Sequence, residues 1–141
     1  MNQSGLDIIE YTQEGYKPLI DCNGWRVAYL RYLEELHPQN IAYLERHMAT
    51  DEVFVLLAGE VTLMMGDGDA SVQGVYGVPM QPHKLYNVKK GAWHGVLMSK
   101  DATILLVENT DTGTDNTEYF NLTPEIRQAF ITEAKKIKDW A

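Results

Sequence analysis

Three side chains in this sequence have the types needed to hold a divalent metal: His47, Glu52 and His94. Neutral imidazole and carboxylate suit iron, manganese, nickel or zinc, and a set of two histidines and one carboxylate leaves coordination positions open for a substrate. His47 and Glu52 fall in ERHMATDEVFVLLAGE, residues 45–60, just ahead of a β-favouring apolar run that Gly59 closes. Side chains alternate along a strand, so Tyr43, Glu45 and His47 share one face. Glu52 opens the next strand with Phe54 and Leu56 on its face, which sets a carboxylate at the mouth of an apolar interior, where it needs a partner. His94 follows the turn at Gly91 and opens a third strand, with Val96 and Met98 as same-face neighbours.

Each of these residues also has a plainer reading. His47, Glu52 and His94 are either ligands or an inward polar cluster held by water and mutual hydrogen bonds. Glu45 is a fourth oxygen ligand, a catalytic general base beside the metal, or a carboxylate at the rim. Tyr43, Phe54, Tyr86, Trp93 and Met98 are candidates to line a pocket, although such residues in a barrel more often form core. His83, after Pro82, and His37, before Pro38, are expected to face solvent. The single cysteine, Cys22, can form no internal disulfide and reads as a small apolar filler.

The elements that must position these groups are short strands. GWRVAYLRYLEEL and NIAYLERH flank a His-Pro-Gln-Asn connector, which predicts a hairpin. Further strands are expected over DEVFVLL, EVTLMM, VYGVPM, KLYNVKK, WHGVLMS and ATILLVEN, separated by Gly, Pro or Lys-Asp punctuation, and seven or more such strands point to an all-β sandwich or barrel. NTDTGTDNTE reads as a polar linker. Thr123-Pro124-Glu125 then supplies an N-cap, a proline at the first helical position and an acid in the first turn, and Ile126, Phe130, Ala134 and Ile137 follow at helical spacing. The predicted organisation is one domain over 1–141: a barrel core at about 25–109, a linker at 110–122 and a helix at about 124–139.

A chain of 141 residues with 45% hydrophobic and 23% charged residues has ordinary globular composition. Twelve Lys and Arg against 20 Asp and Glu give a net charge of −8 and no basic stripe, which argues against nucleic acid as a partner. No membrane segment is expected, because no run of about 18 apolar residues occurs, and MNQSGLDIIE lacks a leader pattern, so the expectation is a cytoplasmic protein. No phosphate-binding glycine loop, nucleophile elbow, CxxC pair or HExxH helix is present.

The spacing resembles the cupin superfamily. Its first motif (Gly, five residues, His, one, His, three or four, Glu, six, Gly) falls on Gln39, Glu45, His47, Glu52 and Gly59, and its second (Gly, five, Pro, one, Gly, two, His, three, Asn) on His83, Lys89, Gly91, His94 and Met98. Five of these ten positions agree, three of them usual metal ligands of the family; Glu45 stands where the first metal histidine belongs. The resemblance spans residues 39–109 and implies a double-stranded β-helix (jelly-roll) barrel of the small RmlC-like kind with a C-terminal α-helix. It implies a divalent cofactor (Fe, Mn, Ni or Zn), a small-molecule ligand and a homodimer. The implied activity is that of an isomerase, epimerase, lyase or dioxygenase on a sugar or small carboxylic acid; the alternative is a non-catalytic metabolite binder with a degenerate metal site.

Overall fold

Asn23 and Gly24 sit between two β-favouring runs, and both take positive φ (45° and 99°), the conformation a two-residue hairpin turn demands. They join β1 (Gly15–Cys22) to β2 (Trp25–Arg31). The computed structural model describes residues 5–141, in which eight further strands follow. These are β3 (Tyr43–His47), β4 (Glu52–Ala58), β5 (Val61–Asp67), β6 (Gly74–Pro79), β7 (Tyr86–Val88), β8 (Trp93–Met98), β9 (Thr103–Asn109) and β10 (Thr117–Asn121), and then a helix, α1 (Pro124–Ala134).

The strands form two antiparallel five-stranded sheets, ordered β1-β2-β9-β4-β7 and β10-β3-β8-β5-β6. This is an all-β jelly-roll arrangement with one C-terminal helix, as expected. Between the sheets, alternate residues such as Ala28, Phe54, Leu56, Val96, Met98, Ile104 and Leu106 make the main core. The opposite face of the second sheet supplies Leu44, Met64, Trp93 and Leu97, which Ile126, Phe130 and Ala134 of α1 cover. Thr123 caps α1 by accepting from the Ile126 N–H, as the sequence predicts. At the β4–β5 turn, Gly59 has φ +74°, and a Cβ there would lie 2.5 Å from Ala102 Cα, so no other residue fits. No helix among the described residues is long and apolar enough to cross a membrane.

Six expectations need correction. The runs around His37-Pro38 do not form a hairpin: β2 and β3 lie in different sheets, joined through a 3-10 turn at Glu34–Leu36, and β2 pairs instead with β1 and β9. The barrel therefore begins at Gly15 rather than near residue 25. The expected linker at 110–122 contains β10, whose alternation of Thr117 and Tyr119 with Glu118 and Phe120 suits a strand pairing with β3. The α-helix ends at Ala134, not 139; the chain then turns, and Ile137 and Trp140 pack through a short 3-10 segment. Cys22 is exposed at the β1 end rather than filling a core, and His37 is half-buried against Trp140, with ring centroids 4.6 Å apart.

Candidate metal centre

Alternation and register build the centre. In the first sheet Arg26 of β2 stands opposite Glu108 of β9, and one rung beyond the Phe54–Leu106 and Val53–Val107 pairs lies Glu52 of β4, so Arg26, Glu108 and Glu52 form one polar row across three strands. The next row on that face, Ala28–Leu106–Phe54, is apolar. The polar groups thus mark one end of the barrel. In the second sheet Glu45 faces His94 across β3 and β8, and Tyr119 of β10 lies on the other side of Glu45. His47 is paired with Thr117.

These rows meet in a cavity of about 560 Å³, lined by Tyr16, Arg26, Tyr43, Glu45, His47, Glu52, Phe54, His94, Glu108 and Tyr119 among others. Glu52 Oε1 is 3.1 Å from His47 Nε2 and 3.2 Å from His94 Nε2, while Glu45 Oε1 is 3.7 and 4.0 Å from the same two nitrogens. Two donors each about 2.1 Å from a shared ion stand roughly 3.0–3.4 Å apart. The histidine–Glu52 separations are therefore those of a ligand set, and Glu45 needs only a small side-chain movement to join it.

Tautomers and charge follow from the neighbours. His94 Nδ1 is 3.1 Å from the Ala92 carbonyl, which can only accept, so Nδ1 carries a proton. Its Nε2 is buried, and although Glu52 is near, the approach angle makes no hydrogen bond; among the described residues it is the buried side-chain polar atom left without a partner. His47 is oriented by Thr117 Oγ1 at 2.9 Å on Nδ1, and its Nε2 donates to Glu52. Burial pulls the His47 pKa down, but the hydrogen bond and charge of Glu52 outweigh it and hold it above the usual imidazole value. Burial pushes Glu52 up, yet the two imidazoles hold it net below the carboxylate range. Burial raises Glu45. Glu108 is pushed up to about 7, first by burial and then by its hydrogen bond to Glu52. Its Oε2 accepts from the Tyr16 hydroxyl at 2.6 Å and from Arg26 Nη1 at 3.1 Å.

Neither a family model nor a curated protein sequence matches the chain. Its backbone is similar to solved structures. A cupin-2 domain protein from Shewanella frigidimarina is 17% identical with a TM-score of 0.52, over 70% of this chain and 84% of that one. Pac13 from Streptomyces, a nucleoside dehydratase solved also with uridine, is 7% identical with a TM-score of 0.56, over 82% and 86% of the two chains. This chain has a cupin fold. The QdtA 3,4-ketoisomerase from Thermoanaerobacterium thermosaccharolyticum, solved as a double variant with TDP, aligns over 79% of this chain and 72% of its own at 16% identity and a TM-score of 0.52.

Of the residues singled out in the sequence, the fold brings Glu45, His47, Glu52 and His94 together and places Tyr43 and Phe54 on the cavity wall. Tyr86, Trp93 and Met98 are not on that wall. Trp93 alternates with His94 and so points the other way, beneath Arg46 and α1, its indole N–H donating to the Asp69 carbonyl. Met98 shares the face of His94 but lies four residues further on, in the main core. Tyr86 packs at the edge of that core, and its hydroxyl accepts from the Gln81 N–H. His83 is exposed. Sequence reasoning missed Glu108, Arg26, Tyr16 and Tyr119. For Glu108 the signal was present: in ATILLVEN the alternation that buries Ile104 and Leu106 also turns Glu108 inward.

Proposed function

We propose that this cupin is a metal-dependent enzyme acting on a small polar organic molecule, with His47, His94 and Glu52 holding a divalent ion and Glu45 as proton carrier. The observation that carries the reading is His94 Nε2, buried and unpartnered although the carboxylates of Glu52 and Glu45 lie 3.2 and 4.0 Å away. The donor set fits a divalent cation of the Fe, Mn, Ni or Zn kind: two imidazoles and two carboxylates balance its charge. When bound, such an ion acts as a Lewis acid toward a substrate oxygen. Thr117 and the Ala92 carbonyl orient the two rings, and Arg26 and Tyr16 hold Glu108 beside Glu52, the outer partners such sites need. Glu45 is half-buried at the open side of the cluster, and its raised pKa suits it to take a proton from a substrate carbon and return it, the chemistry of an isomerase, epimerase or lyase.

Metal analysis of the purified protein after reconstitution with Fe, Mn, Ni and Zn tests this, alongside His94→Ala and His83→Ala. We expect one ion per chain in the wild type and in His83→Ala, and at least roughly hundredfold weaker binding in His94→Ala. Equal occupancy in all three, or none in the wild type, refutes the metal reading and leaves the cavity as a polar binding pocket.

We also propose a homodimer built on the outer face of the first sheet. Antiparallel sheets with a wet face normally alternate apolar and polar residues. Here the outward rows are Val27–Val107–Val53 and Tyr29–Leu105–Val55, with Trp25 and Leu57 about half exposed beside them, whereas α1 covers the matching face of the second sheet. The four longer strands at about 4.8 Å and seven residues at about 3.3 Å give a flat face of roughly 440 Å², which side-chain relief enlarges toward the ~800 Å² per partner of a standard interface. A second copy related by a two-fold axis would cover it isologously. Sedimentation should give a dimer that Leu105→Glu splits; a wild-type monomer of 16.0 kDa refutes this assembly.

A further inference from the structure

The polar groups that reach the cavity are unbalanced in a way the metal does not explain. Glu35, Glu45, Glu52 and Glu108 all line it, and the one cationic side chain among the described lining residues is Arg26. That guanidinium is already bound to protein acceptors through four of its five N–H groups. Nε donates to Asp21 at 3.3 Å, Nη1 to Glu108 at 3.1 Å, the Tyr16 hydroxyl at 3.2 Å and the Thr112 carbonyl at 3.3 Å, and Nη2 to the Thr110 carbonyl. A phosphate or carboxylate entering this cavity would meet four carboxylates, no lysine, and one arginine whose charge is already shared by Glu108 and Asp21. With a divalent ion held by His47, His94 and Glu52, the charges of Glu52 and of Glu45 beside it balance that of the ion, so the centre exerts no net pull on an anion.

The entrance has the opposite character. Tyr119 stands across the β10–β3 ladder from Glu45, and Tyr43 lies two residues along β3 on the same face. The two rings pack edge to face with centroids 4.8 Å apart, each nearly half exposed, and both line the cavity together with Glu35. An edge-to-face pair leaves a π face open. Open aromatic faces beside carboxylates attract ammonium groups, whose charge the ring quadrupole and the acids both favour.

We propose that the mouth of this cavity recognises an organic cation, a small amine or quaternary ammonium compound, with its charged group over the Tyr43–Tyr119 pair and facing Glu45 and Glu35, and that the cavity rejects anionic ligands. The proposal deepens the functional reading above and takes from it only that the cavity is where the ligand binds; charge selection at the mouth does not depend on the ion.

Calorimetric titration separates the two. The probes are choline, its uncharged carbon isostere 3,3-dimethylbutan-1-ol, and the anion 3,3-dimethylbutanoate, each against the full-length protein after chelation and again after reconstitution with Zn. Choline should bind in both forms, roughly tenfold more tightly than the alcohol, with the carboxylate weakest. Tyr119→Leu, an exposed change that leaves the core intact, should abolish the advantage of choline over the alcohol. Equal affinity for the alcohol, tighter binding of the carboxylate in either form, an undiminished choline advantage in Tyr119→Leu, or no choline binding at concentrations on the order of 50 mM each overturns the proposal. A protein that takes up none of Fe, Mn, Ni and Zn but still prefers choline refutes the metal reading alone; one that binds an ion and prefers the carboxylate refutes cation recognition alone.

Discussion

Replacing Arg26 by Met removes the counter-charge of a carboxylate that is almost wholly buried: the Glu108 side chain is 4% exposed and the Arg26 side chain 16%. Breaking a buried ion pair by deleting one partner costs about 3–5 kcal/mol, because the remaining charge is stranded. Water reaches part of Arg26, which argues for the lower end, about 3 kcal/mol. Glu108 has an escape, however, since its pKa is already near 7 and will rise further without the guanidinium. At pH 6 the variant can keep a neutral carboxyl and loses only hydrogen bonds, about 1–1.5 kcal/mol; at pH 8 the fuller loss appears. Urea unfolding of the chelated protein, followed by tryptophan fluorescence at the two pH values, measures both. In a Glu108→Gln background the same substitution should cost about 1 kcal/mol or less at either pH, because no charge is stranded. An equal loss in both backgrounds, or a loss at pH 8 no larger than at pH 6, would refute the claim that Arg26 serves mainly to compensate Glu108.

Three other outcomes are expected. In chelated protein the protonated form of Glu108 is favoured by folding, so its contribution is complete below the ordinary carboxylate value of 4.5 and is lost as pH rises through about 7; His47, also raised, acts in the same direction, whereas Glu52, depressed, loses its contribution only as acid is added below 4.5. Stability measured by urea should therefore decline between about pH 5 and 7.5, and Glu108→Gln should flatten that decline. Gly59→Ala places a Cβ 2.5 Å from Ala102 Cα at φ +74° and should cost more than about 2 kcal/mol in thermal unfolding, whereas Gly113→Ala, with nothing within 4 Å, should stay within about 0.5 kcal/mol. Phe130→Ala, at a fully buried ring on the inner face of α1, should cost about 3–5 kcal/mol and leave metal stoichiometry unchanged, since that ring packs on the far side of the second sheet.

Strand content and the central cluster were legible because alternation is a local rule. From His47 and Glu52 to His94, inward orientation could be read two residues at a time, and the cupin spacing joined the pieces. What stayed hidden depends on which strand neighbours which. The His37-Pro38 connector looks like a turn between paired strands, yet β2 finds its partners in β1, through the Asn23-Gly24 turn, and in β9, some eighty residues later. Nothing local therefore set Arg26 apart. β10 was hidden by composition: its flanks are polar, and Thr117 and Tyr119 gain meaning only against His47 and Glu45. Trp93 misled for the reverse reason, since bulk near a ligand suggests a pocket, while its odd position in the alternation sends it to α1.

The pairing of β10 with β3 also sets an order of construction. As the chain is made from its N-terminus, β3 and its ligands exist long before Thr117 and Tyr119 do, and until then β3 is the bare edge of its sheet. During that interval His47 lacks the hydroxyl that orients its ring, and the cavity has one side missing. The wall that admits the ligand is thus the last part of the barrel to be laid. A nascent chain that already holds Glu45, His47, Glu52 and His94 can neither complete the cavity nor hide that edge from a neighbouring copy until β10 has been added.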